Sequence, residues 1–142
     1  MDFMKINTSS PKQTPMEVIE PKLRNKIHYG DLWVMMHTAA IFLPEKLDKT
    51  QESHIKNYIE GIVTFGNITP NSKLKKLYSD YKIMNNNQDF STRENASVWL
   101  CNFHNYVNLL NDKDLFECKI ENIARRWGNS NVIVNKRSGS YL

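Results

Sequence analysis

Cysteine, glycine and long apolar runs are all scarce in this sequence of 142 residues. The two cysteines, Cys101 and Cys118, allow at most one internal disulfide and exclude a zinc site built from four thiolates. No stretch approaches the roughly 18 consecutive apolar residues that a membrane-spanning helix needs, and the beginning of the chain lacks the apolar core of a signal peptide. We therefore expect a soluble protein whose redox chemistry passes through these two sulfur atoms or through a cofactor.

Positive charge is in modest excess, with 19 Lys and Arg residues against 15 Asp and Glu and a formal net charge of +4. This balance suits a phosphate-bearing ligand, although the basic residues are scattered along the chain. Short basic runs at 73–76 and 125–126 are more typical of a solvated helix face than of a nucleic-acid interface. We do not expect nucleic-acid binding, and binding that weakens steeply with salt would contradict this expectation.

Apolar residues recur at helical spacing in five segments. Pro44 ends the first segment and Gly66 ends the second. Ser91 and Glu94 have the form of a capping box at the start of the fourth, and Gly128 predicts the end of the fifth, which begins near position 117. The apolar stripes are Leu32, Met35, Met36, Ala39, Ala40 and Leu43; Ile55, Tyr58, Ile59, Ile62 and Val63; Leu74, Leu77, Tyr78 and Tyr81; Val98, Leu100, Cys101, Val107 and Leu110; and Ile120, Ile123 and Ala124.

These segments predict an all-α fold, a four-helix bundle with a short fifth helix. The length fits one domain with one modest core. We place the folded domain at 25–128, between a flexible N-terminal tail at 1–24 that holds three prolines and a polar C-terminal tail at 129–142. The first strand-like pattern is the short run at 131–134.

The fourth helix places several polar groups on one face. Cys101, His104, Asn105 and Asn108 stand at positions i, i+3, i+4 and i+7, so a thiol, an imidazole and two amides lie together. Amphipathic packing does not usually concentrate such groups beside an aromatic-rich core, and this favours a polar ligand. The alternative is an exposed polar stripe with a core-facing cysteine, and this segment alone does not decide between them.

The first helix carries an indole and an imidazole on one face. Trp33 and His37 are four residues apart, with Gly30 just before them. Such a pair could sandwich a planar ring, because aromatic faces stack favourably, and an adenine or a flavin would suit it. For this helix alone the simpler alternative, a core Trp with a hydrogen-bonded core His, is favoured.

Taken together, these segments resemble the Erv/ALR family of FAD-linked sulfhydryl oxidases. The family pattern Gly-x-x-Trp-x-x-x-His-Thr matches residues 30–38. The pattern Trp-Leu-Cys-x-x-His-Asn-x-Val-Asn matches residues 99–108 without a departure. Later positions follow in the family's order, namely Lys113, Phe116, Cys118 and Trp127. The resemblance covers roughly residues 26–127.

The resemblance implies a helical bundle that cradles FAD. Lys113, with Arg125 or Arg126, would face the pyrophosphate through charge-assisted hydrogen bonds. The resemblance also implies a structural disulfide between Cys101 and Cys118, a homodimer formed through the early helices and a thiol-bearing protein substrate. The residues it assigns to the cofactor are Gly30, Trp33, His37, His104, Asn105, Asn108, Lys113 and Trp127.

One motif of the family is missing. Active members carry Cys-x-x-Cys at the end of the second helix, where a thiolate delivers substrate electrons to the flavin. Here Asn67 and Pro70 stand roughly where the two sulfurs would be, and residues 64–71 contain no cysteine. No catalytic residue can be assigned. Three explanations fit. The chain kept the flavin fold and lost thiol oxidation, or a substrate thiolate reacts with the flavin directly, or the protein has a structural or partner-binding role.

The sequence therefore predicts an FAD-linked thiol oxidase-family protein that forms disulfides with electrons passed through FAD to oxygen. The alternative is a non-catalytic FAD-binding or partner-binding scaffold in a disulfide relay. A zinc site at His37, Cys101 and His104 is a weaker rival, because the disulfide would consume the thiol. The abundance of Asn, Lys and Ile suggests an AT-rich genome and so favours an origin in a large DNA virus, with the protein in the host cytoplasm or the virion. The mitochondrial intermembrane space also fits.

Overall fold

The computed structural model describes residues 29–66 and 73–132, so Asn67 and Pro70 lie outside the described residues. The first helix of the described part packs against the second, fourth and fifth, and the third packs against the second and fourth. This arrangement confirms the predicted all-α fold, in which a shorter fifth helix lies against a four-helix bundle. The helices are α1 (Tyr29–Ile41), α2 (Lys49–Gly66), α3 (Leu74–Met84), α4 (Arg93–Leu110) and α5 (Ile120–Trp127).

The core formed by the described residues consists of two neighbouring clusters. The larger lies among α1 to α4, and its fully buried side chains include Met36, Tyr78 and Phe103. The smaller joins the end of α1 to α4 and α5. Three residues of the predicted apolar stripes are exposed instead, because each lies on a side of its helix that no described neighbour covers: Met35, 45% exposed, Tyr58, 41% exposed, and Leu110, 55% exposed.

The beginning of α4 corrects one prediction. Thr92, not Ser91, is the N-cap: it has the extended φ of −135° and ψ of 156°, and its hydroxyl accepts the Asn95 N–H at 3.0 Å. The Ser91 N–H is already engaged, since it donates to Asp89 Oδ1 at 2.9 Å. The capping box predicted at Ser91 and Glu94 is therefore wrong by one position.

The end of α5 confirms the predicted stop. Gly128 has a φ of 91°, in the left-handed region where glycine is favoured, and its N–H donates to Ala124 O at 2.9 Å. The start of this helix lies later than predicted, at Ile120, because the chain from 113 to 119 has no helical structure.

Packing continues beyond Gly128. Asn129 is buried, and its side-chain amide donates to Ile41 O, the last residue of α1, at 2.7 Å. Val132 is also buried and belongs to the smaller core cluster. Residues 130–132 are helical, so the described part of the strand-like run at 131–134, its first two residues, is not a strand. The folded part of the chain therefore extends at least to Val132.

Candidate functional site

Two cavities meet beside α4. The larger, of about 710 Å³, lies between α1, α3, α4 and the residues that follow α4. The smaller, of about 270 Å³, lies between α1, α4, α5 and the segment 114–116. His104 and Asn108 line both cavities, so these two α4 side chains mark the junction. The arrangement suits a long ligand with two bulky ends.

Two flat stacks of Trp on His stand in the walls. The Trp33 and His104 rings lie 3.8 Å apart with their planes 4° from parallel. The His37 and Trp127 rings lie 4.5 Å apart and 10° from parallel. Trp33 and His37, which the sequence suggested as one pair, lie 5.7 Å apart and each stacks more closely on a residue of another helix. The rings of these two stacks come from α1, α4 and α5.

The two imidazoles form a hydrogen bond. His37 Nε2 lies 2.9 Å from His104 Nδ1, although 67 positions separate these residues in the sequence. Burial, followed by the nearby His104 and Arg126, lowers the pKa of His37 to about 3. Burial and Arg126 lower the pKa of His104 to about 4. Both rings are neutral near pH 7, so one nitrogen donates and the other accepts.

His37 retains an unused polar atom. The residue is 2% exposed, and its Nδ1 has no hydrogen-bond partner in the described part of the chain. A buried polar atom without a partner costs free energy, about 1–3 kcal/mol. Because His37 also lines the smaller cavity, a ligand there could supply the missing partner. Depending on the tautomer, that atom offers a donor or an acceptor.

Asn105 holds the wall of the smaller cavity in place. Its Nδ2 donates to Phe116 O at 2.7 Å, and its Oδ1 accepts the Phe116 N–H at 2.9 Å. Nδ2 also lies 3.3 Å from Cys118 Sγ. Both ends of this amide are therefore engaged with the chain that follows α4. The sequence showed Asn105 on a polar face but not this link.

Cations lie at both cavities. Lys113 lines the larger cavity, and its backbone N–H donates to Asn108 O at 2.9 Å, which ties it to the junction. Arg126 lines the smaller cavity and lies 4.4 Å from the centre of the Trp127 ring. Arg125 instead donates to Asn122 Oδ1 at 3.3 Å. Of the two arginines proposed from the sequence, Arg126 lines the smaller cavity and Arg125 lines neither of the two.

All eight residues assigned to the cofactor from the sequence line one cavity or both. Motif reasoning missed the contribution of α3, since Leu74 and Leu77 line the larger cavity and had been assigned to the core. It also missed Lys73, which carries no motif signal. The eight divide as Gly30, Trp33 and Lys113 in the larger cavity, His37, Asn105 and Trp127 in the smaller, and His104 and Asn108 in both.

Cys101 and Cys118 form the predicted disulfide, with their Cα atoms 5.8 Å apart. It joins α4 to the chain just before α5 and consumes both cysteines of the sequence. The sulfur of Cys101 is therefore not available to a metal. Among the described residues there is no group of His, Cys, Asp and Glu that could hold a metal ion, and no helix there is long and apolar enough to cross a membrane.

The fold and the site together define a class of protein: a small helical bundle, stapled by one disulfide, with a two-part cavity walled by stacked Trp and His. The sequence pattern of the Erv1/Alr family matches residues 30–128, most of the chain. The chain belongs to the Erv1/Alr family.

Two curated relatives carry the same resemblance. The chain is 28% identical to FAD-linked sulfhydryl oxidase ERV1 of Arabidopsis thaliana over 126 residues, which are 86% of this chain and 61% of the relative. It is 27% identical to mitochondrial FAD-linked sulfhydryl oxidase ERV1 of Saccharomyces cerevisiae over 95 residues, 67% of this chain and 47% of the relative. The chain thus spans about half to three fifths of the length of these relatives.

Solved structures show the same fold. The FAD binding domain of Erv1 from Saccharomyces cerevisiae is 26% identical, with a TM-score of 0.57 over 70% of this chain and 89% of that one. A double cysteine-to-serine mutant of the same yeast protein is 24% identical, with a TM-score of 0.59 over 75% of this chain and 89% of that one.

Proposed function

We propose that this chain binds FAD across the two joined cavities and oxidises thiols to disulfides, with oxygen as the final electron acceptor. The observation that carries the proposal is the junction at His104 and Asn108, where two cavities with aromatic walls become one site for a two-headed ligand. Membership of the Erv1/Alr family and relatives named as FAD-linked sulfhydryl oxidases support it.

The residues present fit FAD, which has two flat ring systems joined by a pyrophosphate. The larger cavity has room for the wider isoalloxazine and the smaller one for adenine. The adenine edge carries both an amino donor and a ring-nitrogen acceptor, so it can satisfy His37 Nδ1 in either tautomer. Lys113 and Arg126 would hold the two phosphates, since each lines a cavity beside the junction.

Bound FAD would supply a two-electron acceptor. This chain supplies no thiol, because both of its cysteines are in the disulfide between α4 and α5. The net reaction converts two thiols and one O₂ into one disulfide and one H₂O₂. We therefore infer that the substrate provides both sulfur atoms, while the chain binds, orients and shields the reacting groups.

A second candidate function rests on the same missing cysteines. Without Cys-x-x-Cys, the chain could serve as an FAD-binding or partner-binding scaffold in a disulfide relay, with a dithiol donated by another protein. The two functions differ in one observable: a scaffold does not consume oxygen when only a small thiol is supplied.

We also propose a homodimer formed through α1 and α2. Met35 on α1, Phe42 just after its end and Tyr58 on α2 are large apolar side chains exposed to solvent. Beside them lies a shallow groove lined by Leu43 and Ile55. A second copy of the chain would cover this face, as the resemblance to the family implies.

The test of the proposed function uses the purified protein, its visible flavin absorbance and its oxygen consumption with dithiothreitol. We expect a yellow protein that consumes oxygen slowly and gains rate in the Asn67→Cys/Pro70→Cys variant. His104→Ala removes one stacked ring and one hydrogen bond at the junction, so it should weaken FAD binding by roughly tenfold or more. Asn86→Ala, in the exposed segment between α3 and α4 and outside both cavities, is the control.

Each outcome separates the candidates. A yellow wild-type protein that is inert with dithiothreitol, and active once the two cysteines are present, would refute thiol oxidation by this chain alone and would favour the scaffold function. A folded but colourless protein that His104→Ala leaves unchanged would refute FAD binding.

A further inference from the structure

The larger cavity is positively charged. The two charged side chains that line it, Lys73 and Lys113, are both lysines, and no carboxylate of the described residues lines it. Its remaining walls are largely apolar, with Leu74 and Leu77 on α3 and Val107 on α4. An apolar cavity with cations at its edge favours anionic molecules, because low-dielectric walls strengthen the field of each charge.

The two lysines lie on different walls. The backbone N–H of Lys113 donates to Asn108 O at the junction of the cavities, and because Lys113 also lines the larger cavity we assign its ammonium group to the pyrophosphate of FAD. Lys73 belongs to the α3 wall, from which no residue lines the smaller cavity. The charge of Lys73 thus remains available after Lys113 has been assigned to the cofactor.

Lys73 also differs from its neighbours on α3. Lys75 forms an ion pair with Glu60, and Lys76 forms one with Asp80 at 2.9 Å. No ion pair holds Lys73 within the described ranges, and its side chain is exposed at the start of α3. A cation at a helix N-terminus opposes the helix dipole, so helix stability does not explain a lysine there.

We propose that Lys73 binds the carboxylate of an anionic thiol substrate and so selects thiols that carry a negative charge close to the sulfur. The proposal rests on the FAD-linked thiol oxidation proposed above. The ammonium group attracts the substrate into the larger cavity, beside the place assigned to the isoalloxazine. There it also favours the thiolate, which is the reactive form of a thiol. Two such thiols release two electrons and two protons to FAD, which O₂ reoxidises to give H₂O₂.

The experiment compares three small thiols that differ in charge: 3-mercaptopropionate, 2-mercaptoethanol and cysteamine. The FAD-loaded protein is mixed anaerobically with each, and loss of visible flavin absorbance gives the rate per unit of thiolate. We expect 3-mercaptopropionate to react fastest. Lys73→Glu removes a positive charge and adds a negative one, and each of these changes should lower the rate with 3-mercaptopropionate, relative to that with cysteamine, by about two- to fivefold. This is the size of effect that an exposed ion pair supports. Lys76→Glu, with the same charge change outside the cavity, is the matched control.

A second readout needs no turnover. The thioether 3-(methylthio)propionate cannot be oxidised to a disulfide, so its titration against the loaded protein, followed by the shift of the flavin spectrum, measures binding alone. We expect weaker binding to Lys73→Glu than to Lys76→Glu, and a loss of this difference at high salt. This titration also tests the proposal if the loaded protein proves inert with thiols.

Equal effects of Lys73→Glu and Lys76→Glu on both readouts would refute the role of Lys73, because only overall charge would then matter. A wild-type protein without preference among the three thiols, and without detectable binding of the thioether, would refute it as well. A protein that binds no FAD would instead refute the proposed function, and direct measurement of FAD affinity in each variant separates that failure from the others.

Cysteine-containing peptides with acidic or basic flanks distinguish the source of the carboxylate. Faster reaction of the acidic peptide than of 3-mercaptopropionate would support Lys73 as a docking point for a protein thiol. The reverse order would support it as a site for small carboxylate-bearing thiols.

Discussion

His37 and His104 are neutral imidazoles held in the interior by a hydrogen bond of 2.9 Å. Each folded-state pKa lies below the ordinary value of 6.5, at about 3 and about 4. As the pH falls below 6.5, the unfolded chain takes up protons on these residues and the folded chain does not. The stability that these two histidines contribute is therefore fully present above about pH 6.5 and is lost as the pH falls towards their folded-state pKa values.

We predict that acidification destabilises the protein through this pair. At about pH 5, His37 alone should reduce the free energy of unfolding by about 2 kcal/mol relative to pH 7, and the partly exposed His104 by less. Urea unfolding at the two pH values measures the loss. His37→Gln keeps a hydrogen-bonding side chain but does not titrate, so its pH dependence should be flatter. An equal dependence in the variant would contradict the assignment.

Sequence motifs predicted which residues line the cavities but not which of them touch. Gly30, Trp33 and His37 share one short segment, and helical spacing alone places Trp33 and His37 on one face. The hydrogen bond between His37 and His104 depends on the packing of α1 against α4, which local spacing does not encode. The same holds for Lys73, whose position at a cavity edge follows only from where α3 lies.

The disulfide between Cys101 and Cys118 fixes the position of α5. It joins the middle of α4 to the chain just before Ile120, and Asn105 bonds the same stretch through Phe116. This attachment holds Trp127 against His37, so one wall of the smaller cavity depends on it. The bond thus acts on the site as well as on the stability of the fold.

We predict that the Cys101→Ser/Cys118→Ser variant loses about 3 kcal/mol of unfolding free energy, as expected for a disulfide that closes a loop of this length. Urea unfolding with and without a reductant provides the measurement. The reductant should lower the midpoint of the wild-type protein and leave that of the variant unchanged. A reductant-insensitive wild type would show that the bond adds no stability.

Glu60 links α2 to α3 through two lysines. Its carboxylate pairs with Lys75, and with Lys82 at 3.2 Å. The hydrogen bond from Lys75, followed by that from Lys82, lowers the pKa of Glu60 against the opposing effect of burial. The stabilisation is therefore present above the unfolded-state pKa and is lost as the pH falls through the lower folded-state value.

We predict that Glu60→Gln lowers the free energy of unfolding by about 0.5–1 kcal/mol, since these groups are partly exposed. Thermal unfolding at low and high salt provides the measurement, with the loss shrinking as salt rises. Asp80→Asn breaks the single pair with Lys76 within α3 and serves as the control. An effect of Glu60→Gln no larger than that of the control would argue against a link between the helices.

Helix periodicity predicted the elements better than their ends. The apolar stripes placed the five helices named in the described part of the chain, because a helix that buries one face needs apolar residues on that face at every turn. The cap of α4 was misplaced because Ser91 and Thr92 are adjacent hydroxyl residues, and their neighbours decide which one is free to cap. Met35 fits the helical stripe of α1, but the bundle covers only part of that helix.

At the scale of the whole molecule, the uncovered faces of α1 and α2 support the proposed homodimer. We predict that Met35→Glu and Tyr58→Glu each shift the protein from dimer to monomer, because each would bury a charge in an apolar interface. Sedimentation velocity measures the distribution. Ile83→Glu, at an exposed apolar position on α3, is the control and should leave it unchanged. A monomeric wild-type protein would refute the dimer.

The hydrogen bond from Asn129 to Ile41 O joins positions 88 apart in the sequence. A ribosome therefore completes α1 long before the residue that satisfies its last carbonyl emerges. Trp127, which stacks on His37, emerges equally late. A nascent chain that has reached only α4 carries an incomplete smaller cavity, so capture of a ligand that needs both cavities must follow nearly complete synthesis of the folded part.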